Sequence, residues 1–225
     1  MQCIKYSFTR LIWLAFGGFL CISLPIIPAR AQSYGQSAIH HDCDYNASTM
    51  MSLSENEFDQ TPGKGWRQVA DKAGCEIVAA NLIAKYRDTH RTTSELSYWH
   101  EGQLRAFAGD YNGSIRVMRL SYKKHDETGW NYYVDATISF LSHDKSSFDK
   151  YKERLTKIPV PDGLPPPVNG FIELKSANGS SMKMAWPINM DVLNGLDVCF
   201  NKSYKEAYGD TCRSSGSHPV AFSVK

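Results

Sequence analysis

The sequence predicts a mostly α-helical protein made of stacked antiparallel helical hairpins, with a small β-hairpin insert and a C-terminal helix. Three observations carry that prediction. Apolar residues recur at three- and four-residue steps in several segments, most clearly at Trp130, Tyr133, Val134, Thr137, Ile138 and Leu141. Glycine turns recur as well, with Ala73-Gly74 and Ala108-Gly109 lying 35 residues apart. Phe107 and Phe140, each just ahead of a turn, lie 33 residues apart. A period of this length built from two helices is the pattern of stacked hairpins, because one hairpin cannot bury both faces of its helices and needs neighbours.

The chain opens with Lys5 and Arg10 ahead of an uncharged apolar run from Leu11 to Pro28. Ala29-Arg30-Ala31 follows, the small-x-small pattern that a signal peptidase reads. Residues 1–31 are therefore expected to be a signal peptide, with the mature protein starting at Gln32. Gly17, Gly18, Pro25 and Pro28 interrupt the run, which favours cleavage over a lasting membrane anchor. Removing Lys5, Arg10 and Arg30 leaves 22 Lys and Arg (25 minus 3) against 23 Asp and Glu, a formal charge of −1. That balance speaks against nucleic acid as a partner. No second run approaches the roughly 20 apolar residues that span a bilayer, so no membrane insertion is expected after cleavage.

Residues 32–64 are polar and read as an extended N-terminal arm. The helical-hairpin region covers 65–158. Its first pair is a short helix from Trp66 to Ala73, a break at Gly74, and a longer helix carrying Cys75, Val78, Ala79, Leu82, Ile83 and Tyr86 on one face. In the second pair Ser94 is placed to cap a helix from Glu95 to Ala108, Gly109-Asp110 turns the chain, and Tyr111, Ile115, Met118 and Tyr122 mark the return. The third pair runs from Trp130 through a turn at Ser142-His143-Asp144 to Phe148, Tyr151, Leu155 and Ile158.

Residues 159–187 form a linker rich in proline and then a β-hairpin insert. A two-residue turn at Asn178-Gly179 would put apolar residues on opposite faces. A three-residue loop, Ala177-Asn178-Gly179, pairs Leu174 with Met182 and Ile172 with Met184, and is the expected register. Residues 188–225 hold a last helix from about Asn189 to Phe200 and a tail. Among the cysteines beyond the leader, Cys43–Cys75 and Cys199–Cys212 each close a local loop and are the favoured disulfides of three possible pairings.

Residues 98–121 resemble the tetratricopeptide family. Gly102 occupies the small position of the first helix, Gly109-Asp110-Tyr111 matches the turn, and Ser114, Met118 and Ser121 take the small, large and small packing positions. Glu101 departs from the pattern, standing where a large apolar residue is usual, and no closing proline follows. The likeness extends more weakly over about 66–158. Through the Trp99-to-Tyr111 segment and the Cys199-to-Cys212 tail, the whole chain also resembles small exported bacterial proteins of this helical type, which implies no particular activity. The tetratricopeptide resemblance implies a concave surface that binds protein or peptide.

Tyr98, Arg105, Arg116 and Arg119 are the expected binding residues, on the polar sides of the middle hairpin. The expected function is non-enzymatic protein or peptide binding in the cell envelope, with no cofactor, in a periplasmic or secreted protein. Two other readings stay open. An envelope hydrolase acting on glycan would use Glu101 or Asp135. A metal-handling protein would use His40 and His41, in the cluster His40-His41-Asp42-Cys43-Asp44. No His-Glu-x-x-His, Gly-x-Ser-x-Gly or phosphate-loop pattern occurs. His100, beside Glu101, is expected to be a hydrogen-bonded histidine of the core or of a groove.

Overall fold

The structure, a computed structural model, describes residues 42–175 and 181–216. The leader, His40, His41, the loop Ala177-Asn178-Gly179 and the end of the tail lie outside the described residues. The described residues are mostly helical with a two-stranded antiparallel β-hairpin, as expected. No helix among them is long and apolar enough to cross a membrane.

The first departure is the N-terminal arm, which is helical where an extended segment was expected. Helix α1 covers Ala47–Ser52 and α2 covers Glu55–Asp59. Asn46 caps α1 by accepting from the Thr49 N–H at 2.9 Å. Ser54 and Glu57 form a reciprocal capping box at the start of α2. Such caps supply partners for helix-end amides that would otherwise need water, and so make even one-turn helices viable. The arm is held by packing too. Met50 and Phe58 are buried, and the Phe58 ring stacks on Tyr86 with centroids 3.8 Å apart. The expected Cys43–Cys75 disulfide ties its start to the next helix pair, with Cα atoms 5.5 Å apart.

Helix α3, Trp66–Ala70, leads into α4, Glu76–His90, and α4 packs against α5, Glu95–Phe107. Gly65, ahead of α3, has φ +55, and a Cβ there would collide with the Phe58 carbonyl, so only glycine fits. Ser94 occupies the N-cap position of α5, yet its side chain makes no cap hydrogen bond. Helix α6, Tyr111–Met118, continues into a 3-10 turn, Arg119–Ser121, and pairs with α5. The α5–α6 approach needs the small residues read from the sequence. A Cβ on Gly102 would lie 2.5 Å from Met118 Cγ, and Ser114 Oγ donates to the Gly102 carbonyl at 2.7 Å.

The third hairpin is α7, Trp130–Leu141, with α8, Lys145–Thr156. Asp144 caps α8 by accepting from Ser147 N–H at 3.0 Å. After the proline-rich linker come β1, Phe171–Lys175, and β2, Ser181–Ala185. Their register pairs Leu174 with Met182 and Ile172 with Met184, as expected, and Ile172 is fully buried. Helix α9, Met190–Val198, packs on α7 and α8. Two short helices the sequence did not announce follow, α10, Tyr204–Tyr208, and α11, Asp210–Gly216. The Cys199–Cys212 disulfide closes around α10, with Cα atoms 6.0 Å apart.

Two buried clusters result. One joins Phe58, Val69, Leu82, Ile83 and Tyr86. The other joins Trp99, Met118, Tyr133, Phe140, Leu155, Leu193 and Tyr204. Helix α5 serves both, sending Leu104 into the first and Trp99 and Ala106 into the second. Trp99 lies 5.1 Å from Trp130 and 4.8 Å from Tyr133 between ring centroids, which makes it a core residue rather than a contact residue. The two disulfides point to an oxidising compartment.

Candidate functional site

The structure divides the four expected binding residues into two pairs. Tyr98 and Arg105 sit seven residues apart on α5 and face α4. The Arg87 guanidinium lies over the Tyr98 ring at 4.1 Å and also pairs with Glu101. Arg105 Nε donates to Glu101 Oε1 at 2.7 Å. Its other nitrogens reach Asp110 Oδ2 at 3.3 Å and Asn81 Oδ1 at 3.1 Å. Glu101 is 2% exposed, so two guanidinium groups share one buried carboxylate. An ionised side chain can be buried at position 101 because α4 supplies Arg87 to meet it. Arg105 is thus a tie between helices, not the free polar residue its sequence position implied.

Arg116 and Arg119, in contrast, are exposed. Arg119 borders a face built from the end of α6, its 3-10 turn, α7 and α8, and Arg116 lies three residues before it on α6. Tyr122, just past that turn, donates its hydroxyl to Asp135 on α7 at 2.5 Å. Burial, and then this bond to a carboxylate, push the Tyr122 hydroxyl well above the ordinary phenol range. Arg119 lies close enough to oppose that shift, and Tyr151 of α8 is close enough to add to it. Tyr132 and Tyr151 continue the face, each with a cation over or beside the ring. Arg154 stands 5.8 Å from the Tyr132 centroid and 6.0 Å from that of Tyr151, and Lys150 stands 5.4 Å from Tyr151. Lys123 lies 4.9 Å from the centroid of Trp130, whose indole donates to the Ser121 carbonyl at 2.7 Å.

The charges of this face do not balance locally. Arg116, Arg119, Lys123, Lys124, Lys150 and Arg154 are all exposed, and none forms an ion pair among the described residues. The acids of the same helices are committed elsewhere. Asp149 pairs with Lys145, and Glu153 with Lys157. Asp126 accepts from the backbone N–H groups of Thr128, Trp130 and Asn131, which fixes the entry to α7. Glu127 is exposed and Asp135 is half-buried under Tyr122.

The carboxylates suggested for hydrolysis sit in different settings. Glu101 is held between arginines in the α4–α5 seam, and Asp135 is bonded to a phenol on α7. His40 and His41 lie outside the described residues. Within those residues no group of three His, Cys, Asp or Glu side chains could hold a metal ion.

His100 is hydrogen-bonded, as expected, but to a partner the sequence did not reveal. Its Nδ1 lies 2.8 Å from Asp59 Oδ1 and must carry the proton, since the ionised carboxylate only accepts. Trp66 Nε1 donates to the same oxygen at 2.8 Å, and the Gln60 amide to the other at 2.5 Å. Burial pushes the Asp59 carboxyl up, but the bonds and charge of His100, with Trp66 and Gln60, outweigh it and hold the group below its ordinary value. The arrangement ties α2 to α3 and α5.

Sequence reasoning missed Tyr132, Tyr151 and Arg154 as parts of one face. Their only signal was the Lys150, Tyr151, Arg154 spacing, which puts two cations one turn apart on α8. Comparison with family models, curated proteins and solved structures finds no match.

Proposed function

We propose that the protein is an exported, non-enzymatic protein- or peptide-binding module of the bacterial cell envelope, built on tetratricopeptide-like hairpins. The leader would be removed after Ala31, leaving the mature chain periplasmic or secreted. The observation that carries the reading is the α6–α8 face, where exposed cations without acid partners border half-buried tyrosine rings. Arginine and tyrosine are the residues that most often anchor interfaces, since both offer large contact areas with polar ends. We put the binding surface here, around Arg116 and Arg119, rather than on Tyr98 and Arg105, which the α4–α5 seam already uses.

A photo-crosslinking amino acid at Leu120 tests the proposal. Leu120 is 57% exposed within the face, and Val198, 55% exposed outside it, is the control. Irradiation of intact producing cells should give a discrete adduct from position 120 and none from 198. Equal labelling at both positions, or none at either, would count against a binding surface on α6–α8.

A further inference from the structure

Resting on that reading, we infer that the partner segment held by the α6–α8 face is an acidic stretch of polypeptide. Its carboxylates would sit on Arg119, Arg154 and Lys150, against the rings of Tyr122, Tyr132 and Tyr151.

The charge pattern gives the sign. The mature chain is close to neutral, so an excess of cations on one face is a local feature, not the mark of a generally basic protein. The same helices show that acids were available. Lys145 is within 2.5 Å of Asp149 and 3.2 Å of Asp197, Lys152 is within 2.6 Å of Asp197, and Lys157 is within 2.5 Å of Glu153. Cations on the remaining side of α8, and on α6, have no such neighbour. A carboxylate brought by a partner would complete them.

The rings give the chemistry. Arg154 is held near two tyrosine faces, and Lys150 near one of them. Cation–ring contact restrains these long side chains before binding, which lowers the ordering cost that otherwise weakens surface ion pairs. A guanidinium beside a ring keeps its planar fork of N–H donors, and that fork matches both oxygens of a carboxylate. Tyr122 is fixed too, because its hydroxyl is committed to Asp135.

A polypeptide fits better than an anionic membrane. Interfacial docking needs an apolar wedge that enters the acyl boundary. Here Leu120 is the exposed aliphatic side chain beside the cations, and the tyrosines are half-buried between helices. Rings recessed among cations suit side chains that reach into a surface.

The probe is a random glutamate–tyrosine copolymer, with a glutamine–tyrosine polymer of equal length as the neutral control and phosphatidylglycerol vesicles as the lipid control. Binding is measured by fluorescence anisotropy with the purified, oxidised protein. The copolymer should bind in preference to both controls, and added salt should weaken it steeply. Arg119→Gln with Arg154→Gln should weaken it about tenfold or more, as loss of anchor arginines does. Lys85→Gln, on an exposed position of α4, should leave it unchanged. Circular dichroism should superimpose for all three proteins. Vesicle binding without copolymer binding, equal affinity for the neutral polymer, or an arginine variant that behaves like Lys85→Gln would overturn the inference. If the Leu120 crosslinker captures a partner while the copolymer fails, the acidic class is wrong and the binding function stands. If both fail, both fall.

Discussion

The α4–α5 seam and the α6–α8 face hold the same residue types in opposite states. In the seam, Arg87 and Arg105 converge on Glu101, and Arg105 also reaches Asp110 and Asn81. On the face, Arg154 stands near the Tyr132 and Tyr151 rings and Arg119 near Tyr122, Arg116 is exposed, and no carboxylate of the described residues forms an ion pair with any of the three. An arginine on a helical repeat therefore carries no role by itself. A buried acid across the seam makes it structural, and the lack of one leaves it available.

The largest effect belongs to Glu101. Its side chain is 3% exposed and that of Arg87 is 9% exposed, so Glu101→Ala would strand a buried guanidinium. Breaking a buried pair from one side typically costs about 3–5 kcal/mol. Urea unfolding followed by tryptophan fluorescence should show a loss of that size. A loss under about 1 kcal/mol would mean that water reaches the seam and that Arg105 is freer than its geometry indicates.

How much of this could be read in advance depends on how far apart the partners lie in sequence. The strand register was legible because Leu174, Met182, Ile172 and Met184 alternate with polar residues, and only one pairing puts them on one face. Both disulfides were legible because each closes a short loop. Gly102 and Ser114 were legible as a close contact through their positions in the repeat. Glu101 looked like a flaw because Arg87 stands on the preceding helix, and nothing local joins them. The Ser54–Glu57 cap lies within a run of polar residues whose composition by itself reads as an extended arm. The face from Tyr122 to Arg154 was illegible for a different reason. It exists only once α8 packs on α7, and each of its residues alone reads as ordinary helix surface.

The disulfides come next in size. Cys43→Ser with Cys75→Ser opens a loop of sequence separation 32, and Cys199→Ser with Cys212→Ser opens one of 13. The chain-entropy model gives roughly 3–4 kcal/mol for the first and about 3 kcal/mol for the second. The first should also loosen α1 and α2, which lie by the seam, while leaving affinity at the α6–α8 face intact. Hydrogen exchange can locate the change. Exchange that spreads from the Cys43–Cys75 variant into α8 would show that the two regions are one cooperative unit.

A smaller effect concerns pH. Asp59 has a lowered folded-state pKa, so its contribution is present above the unfolded value of about 3.9 and is lost as pH falls through the folded value. The urea midpoint should drop on acidification below about pH 4. Asp59→Asn should cost about 1–3 kcal/mol at neutral pH, since it disturbs the bonds from His100 and Trp66. It should also shrink the acid-dependent part. Parent and variant curves that stay parallel from neutral to acid would assign the acid sensitivity to other carboxylates.

The smallest effect is expected where the face is most open. Arg116→Ala with Arg119→Ala removes two exposed cations that make no ion pair among the described residues, and such changes usually stay within about 0.5 kcal/mol. The sign is informative. Arg119 stands near Tyr122 and, through it, near the Asp135 carboxylate, which favours keeping it. Lys123 and Lys124 follow closely in sequence and repel it, which favours losing it. These opposing contributions should nearly cancel at moderate salt. In low salt the repulsion is less screened, so the variant should gain on the parent as salt is removed. A loss above about 1 kcal/mol, growing as salt is removed, would show that Arg119 is already held by an acid. The α6–α8 face would then be a second seam, with no cation free for a partner.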